Sequence, residues 1–170
     1  MEVRPRVDAD LVACQRLAEI VHARDGYPVY LPGDLRSFLL VPDAIAAWVA
    51  VESDEVVGHV ALRPGHTGGM MDLATEKTGI PMSRFGVVAR LLVSPPARRS
   101  GIGRSLLDRA AGHAIARGLR PILDVVDSHV PAIRLYESLG WMCLGEITVT
   151  FGPGVTVDEF VFIAPGPDVA

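Results

Sequence analysis

The sequence predicts a mixed α/β fold: a central, mostly antiparallel sheet with helices on both faces. Three observations predict it. Ala44–Glu52 and Val56–Arg63 are strand-like runs separated only by Ser53-Asp54-Glu55, a tight turn that makes them an antiparallel hairpin. Phe85–Val93, Gly101–Arg117 and Pro121–Val126 read as strand, helix and strand, a unit that closes as a parallel pair with a right-handed crossover. Trp141–Thr150 and Val157–Ile163, joined by Gly152-Pro153-Gly154, form a second hairpin.

Each element has a local reason. Val3–Val7 is a short first strand. Asp8 or Asp10 is placed to cap a helix running to about Ala23, because Leu11, Cys14, Leu17, Ala18 and Val21 follow helical spacing. Asp25-Gly26-Tyr27-Pro28 ends that helix, and a loop with Tyr27 and Tyr30 leads to a short helix from Asp34 to Leu40. Pro64–Arg84 is a polar, Gly-rich connection with one helical turn near Asp72–Lys77; connections of this length are often functional. Pro95-Pro96 stops the third strand. Ile102, Leu106, Leu107, Ala110, Ala111, Ala114 and Ile115 then form an apolar stripe, and Gly118 terminates the helix. Pro131–Leu139 is a helix with proline in its first turn, and Pro165–Ala170 is expected to fray.

A chain of 170 residues suits one domain spanning 1–170. With 49% hydrophobic and 21% charged residues it is not a disordered chain. A net charge of -4 argues against nucleic acid or an anionic membrane as the main partner. Cys14 and Cys143 fall in a helix and a strand without metal-ligand spacing, so two reduced, buried thiols are expected and no metal site. Met1–Asp10 lacks the apolar core of a signal peptide, and no apolar run approaches the ~20 residues of a membrane span. The expected location is the cytoplasm.

The segment Arg98-Arg99-Ser100-Gly101-Ile102-Gly103-Arg104 carries the chemistry. A strand ends, and the chain enters a helix through two glycines that let backbone approach a ligand closely. The first amides of a helix have no internal acceptors and lie at the positive end of its dipole, which makes a phosphate site. Arg98, Arg99 and Arg104 add positive charge. A plain helix start with solvated arginines is the bland alternative. A Walker A loop would need Gly-Lys-Ser/Thr, which is absent. A dinucleotide fingerprint would need a third glycine where Leu106 stands, although Asp124 follows at roughly the ~20-residue spacing of its acidic partner. The position of the segment halfway along the chain and the crowding of basic side chains disfavour that option.

Leu91-Leu92-Val93-Ser94-Pro95-Pro96-Ala97-Arg98-Arg99-Ser100-Gly101-Ile102-Gly103-Arg104 resembles the acetyl-CoA signature of the GNAT superfamily of N-acetyltransferases, built around Gln/Arg-x-x-Gly-x-Gly/Ala. Ala132-Ile133-Arg134-Leu135-Tyr136-Glu137-Ser138-Leu139-Gly140-Trp141 resembles the second signature of that superfamily. The resemblance implies a sheet whose two parallel strands splay apart to admit acetyl-CoA. It implies that Leu91, Leu92 and Val93 offer backbone groups to the pantetheine arm, and that an amide near Leu92 or Val93 polarises the thioester carbonyl. It further implies that Arg99, Ser100, Gly101, Ile102, Gly103 and Arg104 wrap the pyrophosphate. His129 stands where the family commonly has an asparagine that contacts the cofactor.

Direct acetyl transfer to an amine needs a neutral nucleophile, an oxyanion donor and an acid for the departing thiolate. Tyr136 matches the family's tyrosine and suits the acid role, with a packed core aromatic as the alternative. Asp124, a carboxylate within Ile122-Leu123-Asp124-Val125-Val126, reads as buried in a central strand and matches a family glutamate that serves as base, with a structural or substrate-binding carboxylate as the alternative and water as another route for the proton. His59 is a second candidate base, and His129 a third. Asp25, Tyr27, Tyr30, Asp72 and Glu76 lie in loops able to hold a cationic amine. The expected activity is acetyl-CoA-dependent N-acetylation, through a ternary complex, of an amine on a small molecule, peptide or protein. The alternative is a non-catalytic acyl-CoA-binding domain on the same fold. The closing strands leave a homodimer open.

Overall fold

The structure is a computed structural model that describes residues 1–166. Its strands are β1 Glu2–Pro5, β2 Ala46–Glu52, β3 Glu55–Pro64, β4 Phe85–Val93, β5 Arg120–Val126, β6 Met142–Phe151 and β7 Val155–Ile163. Its helices are α1 Leu11–Asp25, α2 Leu35–Leu40, α3 Gly69–Thr78, α4 Ile102–Ala116 and α5 Val130–Ser138. Hydrogen bonding orders the strands β1-β2-β3-β4-β5-β7-β6 in one seven-stranded sheet. The β2–β3 and β6–β7 hairpins are antiparallel, and β4 runs parallel to β5. This is the mixed sheet with flanking helices that the sequence predicts. Most of the expected tail, residues 167–170, lies outside the described residues.

The chain divides into two compact units. The first comprises Met1–Arg63 and Val88–Gly112; the second comprises Pro64–Val87 and the chain from His113 onward. In the first unit, one face of the sheet is covered by α1 and α2. Leu11, Cys14, Leu17, Ala18 and Val21 of α1, the stripe read from the sequence, pack there with Leu39, Val49 and Leu92. Burial pushes the Cys14 thiol up to about 11, which keeps it protonated and unreactive. Neither Asp8 nor Asp10 caps α1 through its side chain. Asp8–Asp10 form a 3-10 turn, and Asp10 turns back to accept from the Val7 amide at 2.8 Å and from both Arg4 terminal nitrogens at 2.8 Å. Asp34 does cap its helix, accepting from the Ser37 amide at 3.1 Å.

The other face of that unit receives α4. Gly58 of β3 is what lets it approach: a Cβ there would lie 2.7 Å from Leu106 Cδ1, 3.0 Å from Ile102 Cγ2 and 3.3 Å from Ala50 Cβ. Ile102 and Leu106 are fully buried and have little room to retreat.

In the second unit, the parallel ladder joins Phe85 to Arg120, Gly86 to Pro121 and Val87 to Ile122. The segment read as one helical turn is the ten-residue helix α3. Its Met70, Met71 and Ala74 pack on Phe85, Val87, Ile122, Val161 and Ile163, and this tertiary burial sustains a helix that the polar, Gly-rich sequence does not announce. Cys143 is exposed on β6, a correction to the expected burial: it stands on a strand at the edge of the sheet. Among the described residues no helix is long and apolar enough to cross a membrane.

The close fit at Gly58 gives a direct prediction. Gly58→Ala should destabilise the protein by about 1–3 kcal/mol through overpacking against the first turn of α4. Urea denaturation checks it, and an unchanged midpoint would mean that Ile102 and Leu106 absorb the methyl group freely.

Candidate functional site

Strand β4 contains an unusual backbone element. Arg90 adopts φ 56, the left-handed region, although it is not glycine. Three contacts hold it there. His59 Nδ1 donates to the Arg90 carbonyl at 2.9 Å, Arg90 Nε donates to the Phe38 carbonyl at 3.2 Å, and the guanidinium lies 4.0 Å above the Phe38 ring centroid. A trans peptide carries its C=O and N–H on opposite sides, so with the Arg90 carbonyl turned to His59 the Leu91 amide points away from it.

His59 is completely buried. Arg6 Nη1 can only donate, so the 2.9 Å contact makes His59 Nε2 the acceptor and places the ring proton on Nδ1. Burial, together with the Arg6 and Arg90 charges, lowers its pKa to about 4. Both ring nitrogens are engaged, which removes the geometry a general base needs.

After Val93 the chain turns through Pro95–Ala97 into the predicted anion-binding segment. Ser100 Oγ donates to the Ala97 carbonyl at 2.6 Å, Arg99 has φ 64 and Gly101 has φ 87. Gly101 serves here through its left-handed backbone, and the space where a Cβ would point is open. Ser105 donates to the Gly101 carbonyl at 2.9 Å, the first turn of α4, so the amides of Ile102, Gly103 and Arg104 are those that a helix leaves without internal acceptors. The three arginines differ. Arg98 is bound by both Asp25 oxygens, one at 3.1 Å from Nη1, and its Nε donates to the Val93 carbonyl at 3.2 Å. It ties the turn to the end of α1, and Asp25 serves that tie. Arg99 is exposed, and Arg104 is exposed beside Asp108 at 3.6 Å. An open helix start with exposed guanidinium groups fits a pyrophosphate.

The second unit holds the remaining candidates. Asp124 is exposed, not buried. The strand alternation sends Leu123 and Val125 to one face, and Asp124 on the other face reaches water. The buried carboxyl is a residue that the sequence reading passed over: Glu159 on β7, 5% exposed. β5 and β7 pair Asp124 with Val161 and Val126 with Glu159, so Asp124 and Glu159 share one face, one register step apart. Burial first, and then the Asp124 charge and a side-chain hydrogen bond to it, push the Glu159 carboxyl up to about 8. Its signal in the sequence is alternation, since Glu159 has the same parity as the buried Val161 and Ile163.

Tyr136 of α5 is 5% exposed and packs its ring on Phe162, centroids 5.7 Å apart, and on Trp141, at 6.1 Å. Phe162 faces away from Val161 and Glu159, so Tyr136 lies on the opposite face of β7 from the acid pair. His129 is the N-cap residue of α5; its backbone amide donates to the Val126 carbonyl at 2.9 Å and its carbonyl accepts from Ala132 at 3.1 Å. Asp72 and Glu76 are exposed on α3, Tyr30 is exposed, and Tyr27 packs against the first core.

The fold is shared with known proteins. The family model for the acetyltransferase (GNAT) family matches residues 14–141, and the chain belongs to that family. It is an acyltransferase by class. A ribosomal-protein-alanine N-acetyltransferase from Brucella melitensis superposes with a TM-score of 0.74 at 21% identity, covering 96% of this chain and 98% of that one. Arabidopsis thaliana NAA60 in complex with acetyl-CoA gives 0.72 at 22% identity, covering 95% and 96%. An N-acetyltransferase from Staphylococcus aureus gives 0.72 at 18%, covering 95% and 96%. At these identities they share the fold. No curated protein matches the chain in sequence.

His59 provides a test by acid stability. Its folded pKa of about 4 lies below the unfolded value of 6.5, so its contribution is full above 6.5 and is lost as pH falls toward 4. The stability difference between wild type and His59→Gln should therefore shrink over that window, measured by urea unfolding. A constant difference would show that His59 does not remain neutral.

Proposed function

We propose that this chain transfers the acetyl group of acetyl-CoA to a primary amine by direct attack. The observation that carries the proposal is the end of β4. There a peptide turned by Arg90 is followed, within one short turn, by an open helix start with exposed arginines. In this reading Arg99, Ser100, Gly101, Ile102, Gly103 and Arg104 hold the pyrophosphate, and Leu91, Leu92 and Val93 hold the pantetheine arm. The Leu91 amide, whose peptide His59 fixes, is the preferred oxyanion donor. A neighbour whose structure holds acetyl-CoA supports acetyl-CoA as the acyl donor.

Acetyl-CoA, when bound, supplies an acyl group activated as a thioester. The chain supplies proton transfers and position. Asp124, charged and open to solvent, accepts one proton from the acceptor's ammonium group and leaves the neutral amine able to attack. Tyr136 donates its phenolic proton to the departing sulfur, and the second proton that the attacking nitrogen sheds as the amide forms restores the phenol through solvent. His129, at the N-cap of α5, takes the place of the family asparagine as a cofactor contact. Neighbours described as N-acetyltransferases support an amine as acceptor.

Tyr136→Phe keeps the ring packing on Phe162 and Trp141, so it should fold and bind acetyl-CoA as wild type does. Its kcat should fall by about a hundredfold or more. Calorimetric titration and an assay of CoA release over a panel of amines check both parts. Tight CoA binding with no turnover on any amine would favour a non-catalytic acyl-CoA-binding domain, and stabilisation by NAD instead of acetyl-CoA would sink the proposal.

A further inference from the structure

Glu159 presents a chemical problem that the family's cofactor signature does not address. It is a carboxyl 5% exposed, and its Oε2 is buried without a hydrogen-bond partner. A carboxylate oxygen in that position would forfeit its solvation with nothing in exchange, whereas a neutral carboxyl loses far less. Asp124 stands diagonally across the β5–β7 ladder on the same face, within side-chain reach of Glu159, and two carboxyl groups can share a hydrogen bond there only if one carries a proton. The buried member keeps the proton and the exposed member keeps the charge, because only Asp124 has water to solvate it.

The surroundings leave these two groups to set the charge. Val126 of β5 and Ile147 of β6 stand directly opposite Glu159, and Val161 follows it on the same face. Helix α3, packed on that face through Met70 and Met71, carries its charged residues Asp72, Glu76 and Lys77 exposed. Asp158 and Glu146 have the opposite strand parity, and Asp158 accepts from Thr148 Oγ1 at 2.7 Å. His66, ahead of α3, has its Nδ1 buried without a partner. Among the described residues, Asp124 is the charged group that acts on Glu159.

We infer that Glu159 is a positioning residue for the reaction: its protonated carboxyl donates to Asp124 and aims that carboxylate at the incoming amine, so that the pair receives the amine as a single negative charge. This rests on the reading of Asp124 as the base. The acceptor class that such a pair selects is a monocationic alkylammonium. One proton passes from the ammonium nitrogen to an Asp124 oxygen, giving a neutral amine and a neutral acid pair; after transfer the pair returns that proton to water. When Glu159 itself ionises, the hydrogen bond is lost, two negative charges face each other and Asp124 is no longer aimed.

The test is the isosteric variant Glu159→Gln, whose amide also donates to Asp124 but does not titrate. The pH profiles of kcat/KM for wild type and variant should run parallel in the acid range. Above the Glu159 pKa the wild type should fall away from the variant, by about tenfold per pH unit at the limit for one proton. Thermal unfolding confirms that the variant folds. Independently of activity, infrared difference spectra of wild type against Glu159→Gln near neutral pH should show a protonated-carboxyl band that shifts in Asp124→Asn and fades in alkali. Parallel kinetic profiles at all pH, or no such band, overturns the inference. If Asp124→Asn turns over normally while the band is present, the proton pair exists but Asp124 is not the base, which separates failure of the functional reading from failure of the pair.

Discussion

The constraint on which the end of β4 depends is the capture of one carbonyl. Arg90 in a left-handed conformation inside a strand costs on the order of 1–3 kcal/mol unless its surroundings fix it. Here a fully buried histidine holds its carbonyl while Phe38 holds its side chain twice, through a backbone oxygen and through the ring face. His59 can do this only as the neutral Nδ1–H tautomer, and Arg6 enforces that tautomer by donating to the other nitrogen. Arg6 is in turn anchored by the Leu39 carbonyl at 2.6 Å. The chain of cause thus runs from the first strand region through β3 to a single peptide of β4. A histidine that looks like a base in the sequence is spent on backbone geometry.

The parts of this arrangement that were legible in the sequence are those governed by local rules. The end of β4 at Pro95-Pro96, the glycine at the start of α4 and the apolar stripe of α4 each follow from one residue's conformational limits or from a helical period. The parts that were not legible depend on partners distant in sequence. Helix α3 begins at Gly68-Gly69 and has no side-chain cap, and it is held by Val161 and Ile163, more than eighty residues later. Asp124 reads as buried because its neighbours in sequence are apolar. A strand residue's environment is set instead by its cross-strand partners and by the cover on its own face, and by that measure Glu159 is the anomalous carboxylate. The adjacent Asp158-Glu159 looks like a solvated charge pair until period-two alternation sends one side chain outward and the other in.

The three arginines at the helix start are not equivalent in the fold. Three arginines in a row of seven residues suggest three ligands for a diphosphate. Arg98 is already committed to Asp25, so its charge is largely cancelled and its work is mechanical: it fastens the turn after β4 to the C-terminal end of α1. Arg104 is partly offset by Asp108. What remains for an anion is Arg99, the exposed part of Arg104 and the first amides of α4. Backbone donors therefore dominate, and they differ from side chains in two physical respects. They are fixed in direction by the helix itself, at no further entropic cost on binding, and their field is not removed by a single substitution. In a protein of net charge -4, a site built mainly from oriented peptide dipoles can hold a polyanion without a large basic surface, which leaves the rest of the exterior free to repel other anions.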